Sequence, residues 1–476
     1  MPPSRPAELT AADVSLLREE EGATHVHVGG VAVFAGSPPP IDEIRAHVLA
    51  RLSRVPRYRA RLVEPPFGVG RPRWAPDPSF RVEYHVRHTA LPSPGDEAEL
   101  RVAAGRIFSQ RLDRTKPLWE LWVVEGLLQD HFAVVTKSHG ALVDGVVAMD
   151  LMTALLDPHE RRDGPAAGRR AGWAAPPLPS RAQLVAAAAG DAGRLAAGAP
   201  RRVLGALVDP RTLPRAARGG AALAGALLGP RLKPAPPSPL NVPIGPHRRL
   251  AHATVPVADL KRIKDTFGGT VNDVVLAVAA GAIRQWMQDR GLHTTGLELR
   301  AAVPLAIEAA GREARPMALA YAPLPVGEPD PLARHERIRR SMAQKLAGRH
   351  PLSAATMTAQ DDAFAPPSVL AQASRLRFDA RRFNVLVANV PGPQHGMYLL
   401  GRRLETAVPV PFLAGDRALA IAVTSYDGLA EFGLLGDLDK LPDLETVAAG
   451  ITAAVDELLA LARQGRTARR VPRAAR

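Results

Sequence analysis

Apolar residues recur along this chain with two different spacings, and the switches between them mark out its elements. Val26–Phe34 is a Val-rich run carrying a Gly29-Gly30 pair and predicts a strand. From Ile41 to Leu52 the apolar positions are Ile41, Ile44, Val48, Leu49 and Leu52, which is helical spacing. Asp96 stands three residues before Glu99, the arrangement of a reciprocal helix cap, and predicts a helix through Ile107. Leu121–Gly126 and Phe132–Lys137 are Val-rich strand candidates, and Val146–Leu156 predicts a helix.

A second patterned block follows much later. Thr270-Val271-Asn272-Asp273 opens a helix whose apolar face includes Val274, Val275, Val278, Ile283 and Met287, with Gly291 as its stop. Strand-like runs lie at Leu297–Ile307, Leu319–Val326 and Phe383–Val390. Ala418–Tyr426 and Leu429–Leu435 flank Asp427-Gly428, a tight-hairpin pair. Leu444, Val447, Ile451, Val455, Leu458 and Leu461 then define a helix over Leu444–Ala462. Between the blocks, Ala, Arg, Gly and Pro dominate. The pattern therefore divides the chain into a first domain (1–158), a linker with short helices (159–238), a second domain (239–465) and a loose basic tail (466–476). The linker reads either as a solvated connection or as a segment lying on a membrane surface. Strands mixed with helices in both blocks predict an α/β (α+β) pair of layered domains.

The length of 476 residues agrees with more than one core, and 46% hydrophobic residues suffice to fill them. Aromatics are only 4%, so the cores must be built from Val, Leu, Ile and Ala. The absence of cysteine excludes a disulfide framework, a Cys nucleophile and thiolate metal sites. The formal net charge of +14 has three readings: a merely Arg-rich composition, attraction to anionic lipid or to the phosphates of an acyl-CoA, or nucleic-acid binding. The basic residues are spread along the chain with no zinc-finger or aromatic-flanked RNA motif, so no nucleic-acid partner is expected. No secretory signal and no apolar run long enough to span a bilayer is evident. His25 and His27 alternate without a carboxylate at ligand spacing, so no metal site is expected.

The stretch Lys137-Ser138-His139-Gly140-Ala141-Leu142-Val143-Asp144-Gly145 sits between a strand and a helix candidate. Such a junction exposes groups at a sheet edge. A His there can serve as a general base, and an Asp a few residues on can orient the loop. A His and an Asp at this spacing are by themselves a weak signal. The stretch resembles the His-His-x-x-x-Asp-Gly motif of CoA-dependent acyltransferases. It is most similar to the His-His-Ala-Leu-Val-Asp-Gly form of the wax ester synthase/diacylglycerol acyltransferase family. His139, Asp144 and Gly145 match; position 140 holds Gly where that family has its second His. Pro117-Leu118-Trp119-Glu120, His27-Val28-Gly29-Gly30 with Glu20 upstream, Asn241 to Arg249, Asn272-Asp273-Val274-Val275-Leu276, Asn389-Val390-Pro391-Gly392-Pro393 and Tyr426-Asp427-Gly428 resemble further family blocks in the same order.

The resemblance implies two chloramphenicol-acetyltransferase-like domains, each a mixed sheet with helices, joined by the linker, with a channel between them. Acyl-CoA would be the co-substrate and diacylglycerol or a fatty alcohol the acceptor, with no metal or other cofactor. The protein would be cytoplasmic, free or peripheral on membranes or lipid inclusions. His139 and Asp144 would belong to the catalytic loop, while Asn272, Asp273, Trp119 and Gly145 would bind or support substrate. From the residues alone, Trp119 also reads as core, and Asn272-Asp273 as a helix-opening device. Position 140 is the expected base, and Gly140 has no side chain. If the segment is extended, His139 points to the opposite face from residue 140, although Gly140 allows a local rearrangement. Two readings stay open: an acyltransferase, or a paralogue that binds lipid or acyl-CoA with impaired turnover.

Overall fold

A computed structural model describes residues 7–66 except 10 and 21, 71–142, 151–160, 178–190 except 188, 234–306, 317–346 and 382–470 except 414. The first half comprises β1 (Ala7–Glu8), α1 (Ala11–Glu19), β2 (His27–Ala35), α2 (Ile41–Arg51), β3 (Ala60–Val63), β4 (Arg73–Pro76), α3 (Val82–His85), β5 (Val86–Ala90), α4 (Glu97–Ser109), β6 (Trp119–Leu127), β7 (His131–His139) and α5 (Leu151–Leu155). In the linker, residues 181–187 are helical. The second half comprises β8 (Arg248–Pro256), α6 (Val257–Phe267), α7 (Val271–Asp289), β9 (Leu299–Ala306), β10 (Met317–Leu324), α8 (Pro331–Leu346), β11 (Val385–Val390), β12 (Tyr398–Leu399), β13 (Arg402–Val410), β14 (Leu419–Tyr426), β15 (Leu429–Asp437) and α9 (Leu444–Arg470).

These strands form two six-stranded mixed sheets, β12-β13-β2-β7-β6-β5 and β10-β9-β11-β14-β15-β8, beside a small sheet β1-β4-β3. β2 and β7 pair antiparallel at the centre of the first sheet, from Ala35 opposite His131 to His27 opposite His139. Both are covered on two faces, which is why they read as near-continuous Val runs rather than as alternating ones. Asp96 caps α4 as its sequence predicts: its carboxylate accepts from the Glu99 backbone N–H, and the Glu99 side chain accepts from the Asp96 N–H.

The second sheet carries its helices on one face. α7 is buried on nearly all sides, from Asp273 to Ile283, and packs against α9. The contact is tight: a Cβ on Gly281 would lie 3.1 Å from the Ala454 methyl, and one on Gly450 3.1 Å from the Ala282 Cα. The β14–β15 hairpin turns at Asp427 (φ 45°) and Gly428 (φ 85°), the positive-φ pair that Asp-Gly favours.

Two strands, β12 and β13, cross between the halves. β13 lies late in the sequence yet pairs antiparallel with β2, Val408 opposite Val31, and so completes the first sheet. Its run Arg402–Val410 ends in Val-Pro-Val, and Pro409 argues against a strand when read locally. β8, α6 and α8 are likewise absent from the pattern reading. α8 is polar over most of its surface, with Ile338 and Met342 buried. The tail expected to be loose after Gly465 continues as α9 to Arg470, its Arg and Ala residues being good helix formers. The helix expected over Val146–Leu156 is described only at Leu151–Leu155, because residues 143–150 lie outside the described residues.

Candidate active site

The end of β7 brings His139 into a buried ionic cluster. His27 and His139 face each other across the β2–β7 ladder, their rings 6.2 Å apart. Glu20, just past α1, reaches both. One of its oxygens lies 3.1 Å from His139 Nε2 and 3.6 Å from His27 Nε2, and accepts from the Val26 backbone N–H at 3.1 Å. The other accepts from Arg114 Nη2 at 2.9 Å. The His139 contact is close, although its alignment falls short of a hydrogen bond. Burial works to raise the Glu20 pKa. The His139 contact, the two neighbouring imidazoles and the Arg114 bond outweigh it, and hold the carboxyl well below the usual carboxylate range.

The other ring nitrogen of His139 is also engaged. Nδ1 accepts from the Ala141 backbone N–H at 3.0 Å, which places the ring proton on Nε2, toward Glu20. The His139 carbonyl accepts from Leu142 N–H at 2.9 Å. Gly140 donates its own N–H to the Val26 carbonyl at 2.9 Å, extending the strand pairing by one position. His139 is 1% exposed. Its imidazole thus anchors the start of the motif loop, and nothing in this geometry turns it toward an exposed channel. Asp144 and Gly145 lie outside the described residues.

Two positions earlier on the same face, Lys137 is fully buried. Its Nζ donates to the Ile107 carbonyl at 2.8 Å and the Gln110 carbonyl at 3.1 Å, and lies 3.2 Å from a Glu120 oxygen. It thereby ties the C-terminal end of α4 to the sheet. Glu120 is 3.2 Å from Arg87 and accepts from the Trp122 indole at 3.0 Å. Burial lowers the Lys137 pKa, and Glu120 opposes the shift. Burial also drives His27 well below its ordinary value and His25 to about 4, the neighbouring cations adding to both shifts.

Trp119 is on β6 and fully buried. Its indole N–H donates to the Tyr58 carbonyl at 2.7 Å, and its ring stacks on His85 at 4.5 Å. It fills core beneath the sheet, on the opposite face of the ladder from His139. Asp273 caps α7: its carboxylate accepts from both the N–H and the hydroxyl of Thr270 at 2.8 Å. Asn272 sits beside it in the first turn, half-buried. No described contact joins either residue to His139. Sequence reading passed over Lys137 and Glu120, and had Glu20 only as a resemblance. The available signal was a charged residue inside a Val-rich strand, which survives there only if paired. Among the described residues no group of three or more His, Asp or Glu could hold a metal ion.

Comparison with known proteins reaches nearly the whole chain. Residues 9–275 match the model of the wax ester synthase/diacylglycerol acyltransferase catalytic domain, and residues 316–459 that of the WS/DGAT C-terminal domain. The chain is 31% identical to the probable diacylglycerol O-acyltransferase tgs1 of Mycobacterium tuberculosis, over 97% of this chain and 98% of that protein. It is 32% identical to the probable diacylglycerol O-acyltransferase tgs2 of the same species, over 91% and 94%. The wax ester synthase/diacylglycerol acyltransferase structure from Marinobacter aquaeolei VT8 superposes with a TM-score of 0.65 at 26% identity, covering 96% of this chain and all of that one. The first condensation domain of the calcium-dependent antibiotic synthetase shares the fold, with a TM-score of 0.56 at 14% identity over 96% of this chain and 96% of that one.

Proposed function

The chain belongs to the wax ester synthase/diacylglycerol acyltransferase family, and from that premise we propose that it transfers a fatty acyl group from acyl-CoA to the hydroxyl of diacylglycerol or a long-chain alcohol. The observation that carries this reading is the family match along 97% of the chain, with the start of the motif, His139 to Leu142, held at the end of β7. The acceptor oxygen attacks the thioester carbonyl, the C–S bond breaks, and the hydroxyl proton ends on the departing coenzyme A thiol. No metal or further cofactor is required.

The proton transfer sets the rate. A positioned base is worth about a hundred- to ten-thousandfold, and Gly140 offers none. His139 cannot serve without leaving Glu20 and the Ala141 amide, so it is a positioning residue. Turnover then relies on holding the two substrates together, with a water relaying the proton where an imidazole would stand. The expected result is slow acyl transfer by wild type and a gain of about a hundred- to ten-thousandfold on Gly140→His. The assay uses labelled palmitoyl-CoA with hexadecanol or diolein. No product above a no-protein control from either protein would sink the proposal for these substrates. Gly140 also favours a second reading, a paralogue that binds acyl-CoA or lipid without turnover. Saturable palmitoyl-CoA binding by a silent wild type would support it.

Among the described residues no single helix is long and apolar enough to cross a membrane. α6 and α7 pass that test only as a pair bent by 101°. We place the protein in the cytoplasm, with peripheral contact to lipid surfaces through its positive charge. Binding to anionic vesicles that weakens with salt is the expected signature, and equal binding to neutral vesicles would remove it.

A further inference from the structure

A cavity of about 450 Å³ lies between α4, the first sheet and β8. That is within the range of roughly 300–1,000 Å³ typical of small-molecule sites. Its floor is apolar, from Val31 and Val33 of β2 and Val408 of β13, with Leu100 and Leu250 closing the sides. It is separate from the His139 cluster. Val31 is four residues beyond His27 on the same face of β2, about 13 Å at strand spacing. Between them a Cβ on Gly29 would meet the Thr136 carbonyl oxygen at 1.8 Å and the Phe108 ring at 3.1 Å.

The polar wall is made by alternate residues of β8. His252 Nε2 is 2.6 Å from a Glu97 oxygen, so the contact joins the second half of the chain to the start of α4. That contact occupies Nε2 and leaves Nδ1 for a ligand hydroxyl, which can donate to or accept from an imidazole nitrogen. Thr254 donates its hydroxyl hydrogen to Glu431 at 2.7 Å, which keeps its oxygen lone pairs for another donor. Glu431 is 1% exposed, and burial raises its pKa. Glu405 adds a carboxylate to the lining. Arg101, the lining guanidinium, faces Glu97 at 3.5 Å. The wall therefore offers acceptors to a ligand O–H and carboxylates to a ligand anion. The first attracts and the second repels.

We propose that this cavity is a second ligand site, distinct from the acyl-transfer junction, for a neutral hydroxyl-bearing amphiphile of the long-chain alcohol class. The hydroxyl is held by His252 and Thr254, and the chain lies on the β2–β13 floor. A bare fatty-acid carboxylate of the same length binds at least tenfold more weakly.

The test is photolabelling of the full chain, without acyl-CoA, by a diazirine-bearing hexadecanol analogue and by the matching hexadecanoate at pH 8. Peptide mapping should find the alcohol label on residues 97–101, 250–254 and 405–408, displaced by excess hexadecanol. Val408→Trp, which fills the floor, should cut that label at least tenfold. His252→Leu, which fills similar space but removes the ring nitrogens, should collapse the preference for alcohol over acid toward unity. Circular dichroism identifies a Val408→Trp protein that has not folded, and in that case His252→Leu decides. Equal labelling by acid and alcohol in wild type, a label unchanged by both substitutions, or a label confined to residues 119–142 would overturn the proposal. No turnover enters the measurement, so an inactive enzyme would not disturb it.

Discussion

The two six-stranded sheets share a size and a mixed topology, yet their facing surfaces are filled in different proportions of charge and small side chains. The first carries His27, His139, Lys137 and Glu120, all buried and nearly all paired, within a few residues of the motif loop. The second buries one carboxylate, Glu431, and otherwise presents mainly small residues: Ala302, Ala388, Ala420 and Ala422 join the core of the first sheet. Gly433 of β15 goes further, since a Cβ there would stand 1.8 Å from the Pro409 carbonyl oxygen of β13. Buried charge is costly and is tolerated where each group has a partner. Small residues cost little and let one backbone lie against another. The first sheet thus spends its interior on fixing a loop, and the second on close approach.

The difference can be broken from either side. Lys137→Met leaves Glu120 buried with one fewer cation and frees two carbonyls at the end of α4. It should destabilise the protein by about 3–5 kcal/mol, as loss of one partner of a buried pair does, measured by urea unfolding. Gly433→Ala attacks the second sheet through sterics alone. It should cost about 1–3 kcal/mol or more and loosen the junction between the sheets, seen as faster hydrogen exchange in 402–410. Equal tolerance of both substitutions would mean that the charges are as replaceable as the packing.

Acid sharpens the contrast. Glu20 has a depressed pKa when folded, so its stabilisation is present above about pH 4.5 and is lost as pH falls below that. His25 is held neutral with a pKa lowered to about 4 from 6.5, so its contribution is full above 6.5 and is lost as pH falls toward 4. The melting temperature should therefore drop below pH 6.5, and His25→Gln should reduce the slope between 6.5 and 4, the remainder coming from the likewise depressed His27 and His85. A profile unchanged by that substitution would place the acid response elsewhere. The smallest effect belongs to α7 in the second half. Thr270→Ala removes the cap that Asp273 shares and should cost about 1 kcal/mol. If Thr270→Ala instead lowers acyl transfer with stability held, Asn272 and Asp273 reach the substrate and the helix cap is their lesser role.

Sequence alone determined a good deal. The mixed α/β class, the capping boxes at Asp96 and Thr270, the Asp427-Gly428 hairpin and the long helix from Leu444 follow from local period and cap chemistry, which residues a few positions apart decide. The lack of a side chain at Gly140 is equally a fact of sequence, as is the resemblance that gives it meaning. Tertiary structure decided what His139 does. The strand period sets the face on which it lies, but the Ala141 amide holds one ring nitrogen and Glu20, 119 positions upstream, lies against the other. Tertiary structure also sent β13 across to β2, over 370 residues of sequence between Val31 and Val408, and brought Glu97 to His252 over a cavity. Local pattern carries no record of such partners, because pairing at long range depends on which surfaces remain uncovered once the local elements have formed.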